Sequence, residues 1–207
     1  MRAILWGGMI VAGLTAAPLI AAHSLPDQDA IQSDEATALI ESVRAATLRF
    51  EDVNAALAEG YVPDPSGECV TAKAHGLPAG LGAMGIHYLR PDLLGLTVTA
   101  PRVDGTGTHT DFMNPAILLY EPQEDGSLAL VGVENLVFRK AWETAGNGGP
   151  PVLAGRSWDH MVDDPATPTE EAHHFEAHYD QHLWFRANPN GNLKPFNPGV
   201  TCRHHKA

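Results

Sequence analysis

Between Asp34 and Glu59, the residues Leu39, Ile40, Val43, Thr47, Phe50, Val53 and Leu57 recur at three- and four-residue spacing, which lays one apolar stripe along a helix. Ser33 or Asp34 can cap its start and Gly60 its end, and the polar pair Glu51-Asp52 divides the stripe so that two helices fit as well as one. After Gly60 the period shortens. Ala83 to Leu89, Ala116 to Glu121, Leu128 to Phe138 and Ala177 to Arg186 are apolar-rich runs, and turn residues separate them, which predicts strands. The second and third runs are joined by Pro-Gln-Glu-Asp-Gly-Ser, whose Asp125-Gly126 pair suits a hairpin. Turns follow at Asn188-Pro189-Asn190-Gly191 and at Asn197-Pro198-Gly199. This order predicts an α+β fold: an N-terminal helix or helix pair, then a mainly antiparallel sheet, open or closed into a barrel. No internal repeat or linker marks a second domain.

The first residues follow a different rule. Met1 and Arg2 give a short positive start, an uncharged apolar run extends from Ala3 to Ile20, and Ala21-Ala22 precede the polar His23-Ser24. That pattern predicts a secretory signal peptide over 1–22 and one globular domain over 23–207, with its ordered core at about 34–202. The run sits near the lower limit for spanning a bilayer and contains Pro18, so no stable membrane insertion is expected after cleavage. The destination is the periplasm or the medium. In such an oxidising compartment Cys69 and Cys202, the only cysteines, are expected to form a disulfide. Closing so long a loop stabilises the fold by roughly 4 kcal/mol, less any strain.

The chain carries a formal charge of −12, one unit more negative once Arg2 is removed. That balance argues against nucleic acid or anionic lipid as a partner, leaving a small molecule or a metal ion. The acidic pairs Glu124-Asp125, Asp163-Asp164 and Glu170-Glu171 lie in turn-like sequence and read as solvated surface. The string Gly80-Leu81-Gly82-Ala83-Met84-Gly85 matches a dinucleotide fingerprint, but Pro78 precedes it and a strand follows, so no helix N-terminus is there to receive a pyrophosphate. No nucleotide cofactor is expected. A nucleophile elbow, a phosphate-binding P-loop and an H-E-x-x-H helix are missing as well.

The chain carries eleven histidines. Neutral imidazole is a favoured ligand for zinc, copper, iron and nickel. His204 and His205 beside the terminus, and His173-His174 beside Glu170-Glu171, read most simply as surface. Three other polar positions fall where the strand pattern asks for apolar ones. Glu134 shares a face with Leu130, Gly132, Leu136 and Phe138; His87 lies between Ile86 and Tyr88; His182 shares a face with Trp184. A buried carboxylate needs a metal, a cation or a set of donors, so Glu134 calls either for an ion or for Arg102, Arg139 or Arg156.

Strand geometry limits the ligand set. Residues four apart stand about 13 Å from each other in a strand but about 6 Å on a helix, so His178 and His182 can share an ion only if the segment is helical. Tyr179, Trp184 and Phe185 favour a strand. The economical site is His87, Glu134 and His182, one ligand from each of three strands, with His178 in reserve and open positions for water or substrate. Tyr88, Tyr179 and Trp184 are candidates to line the same cavity. The cofactor is one transition-metal ion, zinc, copper or iron. Such a site serves either a metal-dependent enzyme or a binding protein that does not turn over. Cleavage after Ala22 also leaves His23 as a terminal chelate for copper, a pattern similar to copper-dependent polysaccharide monooxygenases.

Several segments, Gly85-Ile86-His87-Tyr88, Leu118-Leu119-Tyr120-Glu121-Pro122, Leu130-Val131-Gly132-Val133-Glu134 and His178-Tyr179-Asp180-Gln181-His182-Leu183-Trp184 with the two Asn-Pro turns up to Cys202, resemble a family of uncharacterised secreted bacterial proteins. The resemblance runs from about Leu48 to Cys202. It implies export and a single domain, and it carries no activity.

Overall fold

A computed structural model describes residues 28–166 and 171–206. The signal segment 1–22, the chelating His23 and Glu170 lie outside the described residues.

Helix α1 spans Gln28–Thr47, and a 3-10 turn at Leu48–Glu51 leads to α2 at Val53–Ala58. The division falls where Glu51-Asp52 placed it, because the Asp52 carboxylate caps α2 by accepting from the Asn54 N–H at 2.9 Å. At the other end Gly60 takes φ +97, and Tyr61 N–H donates to the Ala56 carbonyl at 3.0 Å. That pairing closes the helix with a Schellman turn. The start of α1 differs from the expectation of Ser33 or Asp34: the polar residues from Gln28 onward are helical but carry no apolar stripe from which the extension could be read.

Seven strands form one sheet: β1 Val62–Pro63, β2 Cys69–Thr71, β3 Ala83–Leu89, β4 Ile117–Pro122, β5 Leu128–Phe138, β6 Asp159–Met161 and β7 His178–Trp184. Their order is β1-β3-β4-β5-β7-β6, with β2 also on β3, and every pairing is antiparallel. The fold is therefore α+β with an N-terminal helical part, and the sheet stays open rather than closing into a barrel. The hairpin β4–β5 turns at Gln123 to Ser127, where Gln123 N–H donates to Ser127 O at 2.9 Å. Gly85 has φ +96, and a Cβ there would lie 2.5 Å from the Tyr120 carbonyl, so this glycine is set by strand packing and not by a phosphate.

Both faces of the sheet are covered, and the alternation of strand side chains divides the core in two. One face packs Leu118, Tyr120, Val133, Val137 and Leu183 against Val43, Phe50 and Ala56 of the helical part and Tyr61 just after it. The opposite face gathers Leu119, Leu136, Phe138 and Trp184 with Val70, Phe175 and Phe196 from strand and loops. Burial on two sides explains why β4 and β7 are buried along their whole lengths. In β7 that length includes His178, Asp180, Gln181 and His182, an unusual load of polar groups for a dry strand.

Cys69 and Cys202 form the disulfide, with a Cα–Cα distance of 5.7 Å across a sequence separation of 133. The bridge ties the C-terminal segment to β2, and β2 is paired to β3, which carries His87. Replacing both cysteines by serine should cost about 4 kcal/mol in urea unfolding, since the unfolded chain regains the freedom of a long loop. A double variant that unfolds at the same urea concentration as the parent would contradict this.

Candidate metal centre

The three-strand trio converges on the face away from the helices. Register places Glu134 of β5 directly opposite His182 of β7, and opposite Ile117 of β4 on its other side. His87 of β3 lies opposite Leu119, one row along and on the same face. The carboxylate Oε2 of Glu134 stands 3.3 Å from Nε2 of His87 and 3.4 Å from Nε2 of His182. All three ligand atoms lie within 4.8 Å of one another. Two donors on one tetrahedral ion, with bonds of about 2.0 to 2.1 Å, stand about 3.4 Å apart, so two of the three separations already match shared coordination.

Hydrogen bonding does not account for this arrangement. Glu134 Oε2 and both ring nitrogens of His182 are buried with no hydrogen-bond partner. Side-chain exposure is 5% at Glu134, 1% at His182 and 12% at His87. The arginines that sequence offered to Glu134 pair elsewhere: Arg102 with Asp163, Arg139 with Glu143, Arg156 with Asp159. Burial alone would drive the Glu134 carboxyl up, but the imidazoles of His182 and His87 outweigh it and hold the group below its ordinary pKa, as a carboxylate. At His87 burial pulls downward and the adjoining carboxylate pulls harder upward, leaving it above the usual histidine value. His182 is lowered, because burial exceeds the attraction of Glu134. In the metal-free state the site thus favours a proton on His87 beside the carboxylate, where an ion would otherwise supply the positive charge.

His178 is on a strand, as its aromatic neighbours indicated, and stays outside the trio. Its Nδ1–H donates to the Glu176 carbonyl at 2.8 Å, which leaves Nε2 as the lone-pair nitrogen, 4.0 Å from Asp180. Of the three cavity-lining candidates only Trp184 is on the metal side. Its ring stacks on His182 at 5.8 Å with an interplanar angle of 23°, and Gly132 opposite makes room, since a Cβ there would lie 3.0 Å from that ring. Tyr88 and Tyr179 point the other way, into the helix-covered core, because they alternate with His87 and His178 along their strands. Leu130 also changes face: between Leu119 and Tyr120 the register steps from Gly132 to Leu130, and the extra residue Val131 is a bulge.

Further polar groups join the site without having been read as members. Asp180, on the same face of β7 as His182, puts Oδ2 3.9 Å from His182 Nδ1. Burial, with the negative charges of Glu134 and Asp159, pushes its pKa well up and favours the neutral acid. The signal for it lay in the strand period, two residues from His182. His173 is not a surface residue. Its Nδ1 meets His75 Nδ1 at 3.0 Å across a separation of 98 residues, and its Nε2 is buried without a partner. No local pattern could have paired them. A cavity of about 20 Å³, room for one water-sized occupant, is bounded by His87, Glu134, His178 and Asp180 together with His75 and His173.

Compared with protein-family models, with curated proteins and with solved structures, the chain has no match.

Burial lowers His178 to about 4 and His173 to about 2. Below the ordinary histidine value of about 6.5 the unfolded chain takes up protons at these residues that the folded chain refuses, so their contribution to stability is lost as pH falls. For His178 the loss runs from about pH 6.5 towards its folded value and amounts to about 2 kcal/mol by pH 5. Urea unfolding of metal-free protein at about pH 7.5 and about pH 5 should therefore show the wild type losing about 2 kcal/mol more than His178→Gln over that interval. Equal losses would show that His178 is not held neutral by burial.

Proposed function

We propose that the protein is an exported metalloprotein that holds one transition-metal ion with His87, Glu134 and His182 and uses it in catalysis on a small molecule. The observation that carries this reading is a carboxylate oxygen and two imidazole nitrogens gathered in a dry core, with Glu134 Oε2 and both His182 nitrogens lacking any hydrogen bond. Buried polar atoms without partners are rare, and one ion would satisfy Glu134 Oε2 and His182 Nε2 together, with His182 Nδ1 turned toward Asp180. Two imidazoles and one carboxylate are the donor set of catalytic zinc and of mononuclear non-haem iron.

Among the described residues the group has three members and no fourth protein ligand, which leaves a coordination position for water or substrate. Bound there, zinc would supply Lewis acidity and an acidified water, and iron would supply dioxygen chemistry. The chain's own contribution is to fix the three donors on rigid neighbouring strands and to exclude bulk water behind Leu136, Ile117 and Met84. Metal and proton compete for His87, because either one balances the Glu134 charge and only the neutral imidazole can ligate. A second reading, a metal-binding protein without turnover, is favoured by the depth of the site and the small size of its cavity.

Export is supported by the disulfide and by the signal-like leader. No helix among the described residues is long and apolar enough to cross a membrane.

Elemental analysis of untagged protein purified from the periplasm should find one zinc, copper or iron per chain. His87→Ala, Glu134→Gln and His182→Ala should each weaken metal affinity at least tenfold, while the pair His204→Ala and His205→Ala should leave it unchanged. Protein that takes up no stoichiometric metal after exposure to all three ions would refute the proposal. Full retention in all three site variants would move the ion to His173, His174 and His178.

A further inference from the structure

A second and larger cavity, of about 600 Å³, adjoins the metal centre. That volume is in the range that holds a small organic ligand. Leu77, Leu81, Met161, Val162 and Phe196 form its apolar wall. Two of these, Leu77 and Val162, are each 44% exposed, although large apolar side chains gain by burial. His75 and His173 line this cavity and also line the small one that contains His87 and Glu134. Their rings meet edge to face at 4.1 Å, so this one pair is the partition between the two spaces. The backbone is shaped to place it: His173 and His174 have φ of +51 and +65, consecutive left-handed conformations that side chains other than glycine rarely adopt.

We propose that the larger cavity is the substrate site of the metal centre and takes an uncharged, mainly apolar small molecule whose reacting end passes the His75–His173 pair. The assignment of the metal to His87, Glu134 and His182 underlies this, and the cavity gives it a substrate class. The charge of the lining selects for neutrality. Its acidic and basic members, Glu171 and Lys194, are of opposite sign, and burial favours the neutral form of His173. The chain as a whole, at −12, repels anionic amphiphiles. An apolar body fits against the leucines and Phe196, and the two histidines are the polar groups it meets at the inner end.

The test uses N-phenyl-1-naphthylamine, a neutral dye that fluoresces in apolar cavities, titrated into metal-free protein. One saturable site per chain is expected. Leu77→Asp and Val162→Asp, both at exposed positions and both checked for folding by circular dichroism, should weaken it at least tenfold. Anionic 8-anilinonaphthalene-1-sulfonate should bind at least tenfold more weakly than the neutral dye. Loading with copper(II), a short-range quencher, should then dim the bound dye in the wild type but not in His87→Ala. Absence of a saturable site, or equal binding by the two aspartate variants, would overturn the cavity assignment. Copper bound at the trio without quenching would separate the cavity from the metal centre. Failure to bind copper at all would instead refute the metal assignment, and the dye titration would still decide whether the cavity takes an apolar ligand.

Discussion

The carboxylate of Glu134 is ionised at the centre of a sheet that is covered on both faces, and the arrangement around it follows from balancing that charge. A carboxylate removed from water is costly unless it has a cation or several donors. Here its neighbours are imidazoles, from the strand directly opposite and from a strand beyond β4, and they meet one of its oxygens at 3.4 and 3.3 Å. Apolar residues at these positions would pack without such a cost. A proton on His87 satisfies the charge in part; an ion held by all three donors satisfies it and the unpartnered Nε2 of His182 at once.

Several features of the fold then serve the same place. The antiparallel register sets Glu134 against His182, and Gly132 lets Trp184 lie flat on that ring. The disulfide anchors the C-terminal segment to β2, next to the strand that carries His87. Loop residues close the face from above: His173 and His174 in left-handed backbone, Phe175 in the core, and His75 against His173. The other face, packed on α1 and α2, contributes rigidity and, among the described residues, no ligand.

Much of this was legible in the chain because strands announce themselves through alternation. The limits of β3 and β5 and the turn of the β4–β5 hairpin fall where apolar runs and the Asp125-Gly126 turn placed them. A charged or polar residue at an inward position is visible by the same rule, which is why His87, Glu134 and His182 stood out. The failures also have physical causes. A bulge at Val131 shifts the phase and carries Leu130 to the opposite face. Tyr88 and Tyr179 neighbour site residues in sequence, and for that reason point away from them. The first turns of α1 have no apolar stripe to read. Pairing between His75 and His173 is set by tertiary packing across almost half the chain, and no periodicity encodes it.

One ion joining His87, Glu134 and His182 is what the whole arrangement requires. Crystals of the zinc-loaded protein, measured at the zinc absorption edge, test it directly. One strong anomalous peak is expected, bonded at about 2.0 to 2.2 Å to Nε2 of His87, a carboxylate oxygen of Glu134 and Nε2 of His182, with a non-protein ligand completing the shell. Zinc found only at surface histidines, with His87 still paired to Glu134 and no density between the three side chains, would contradict it.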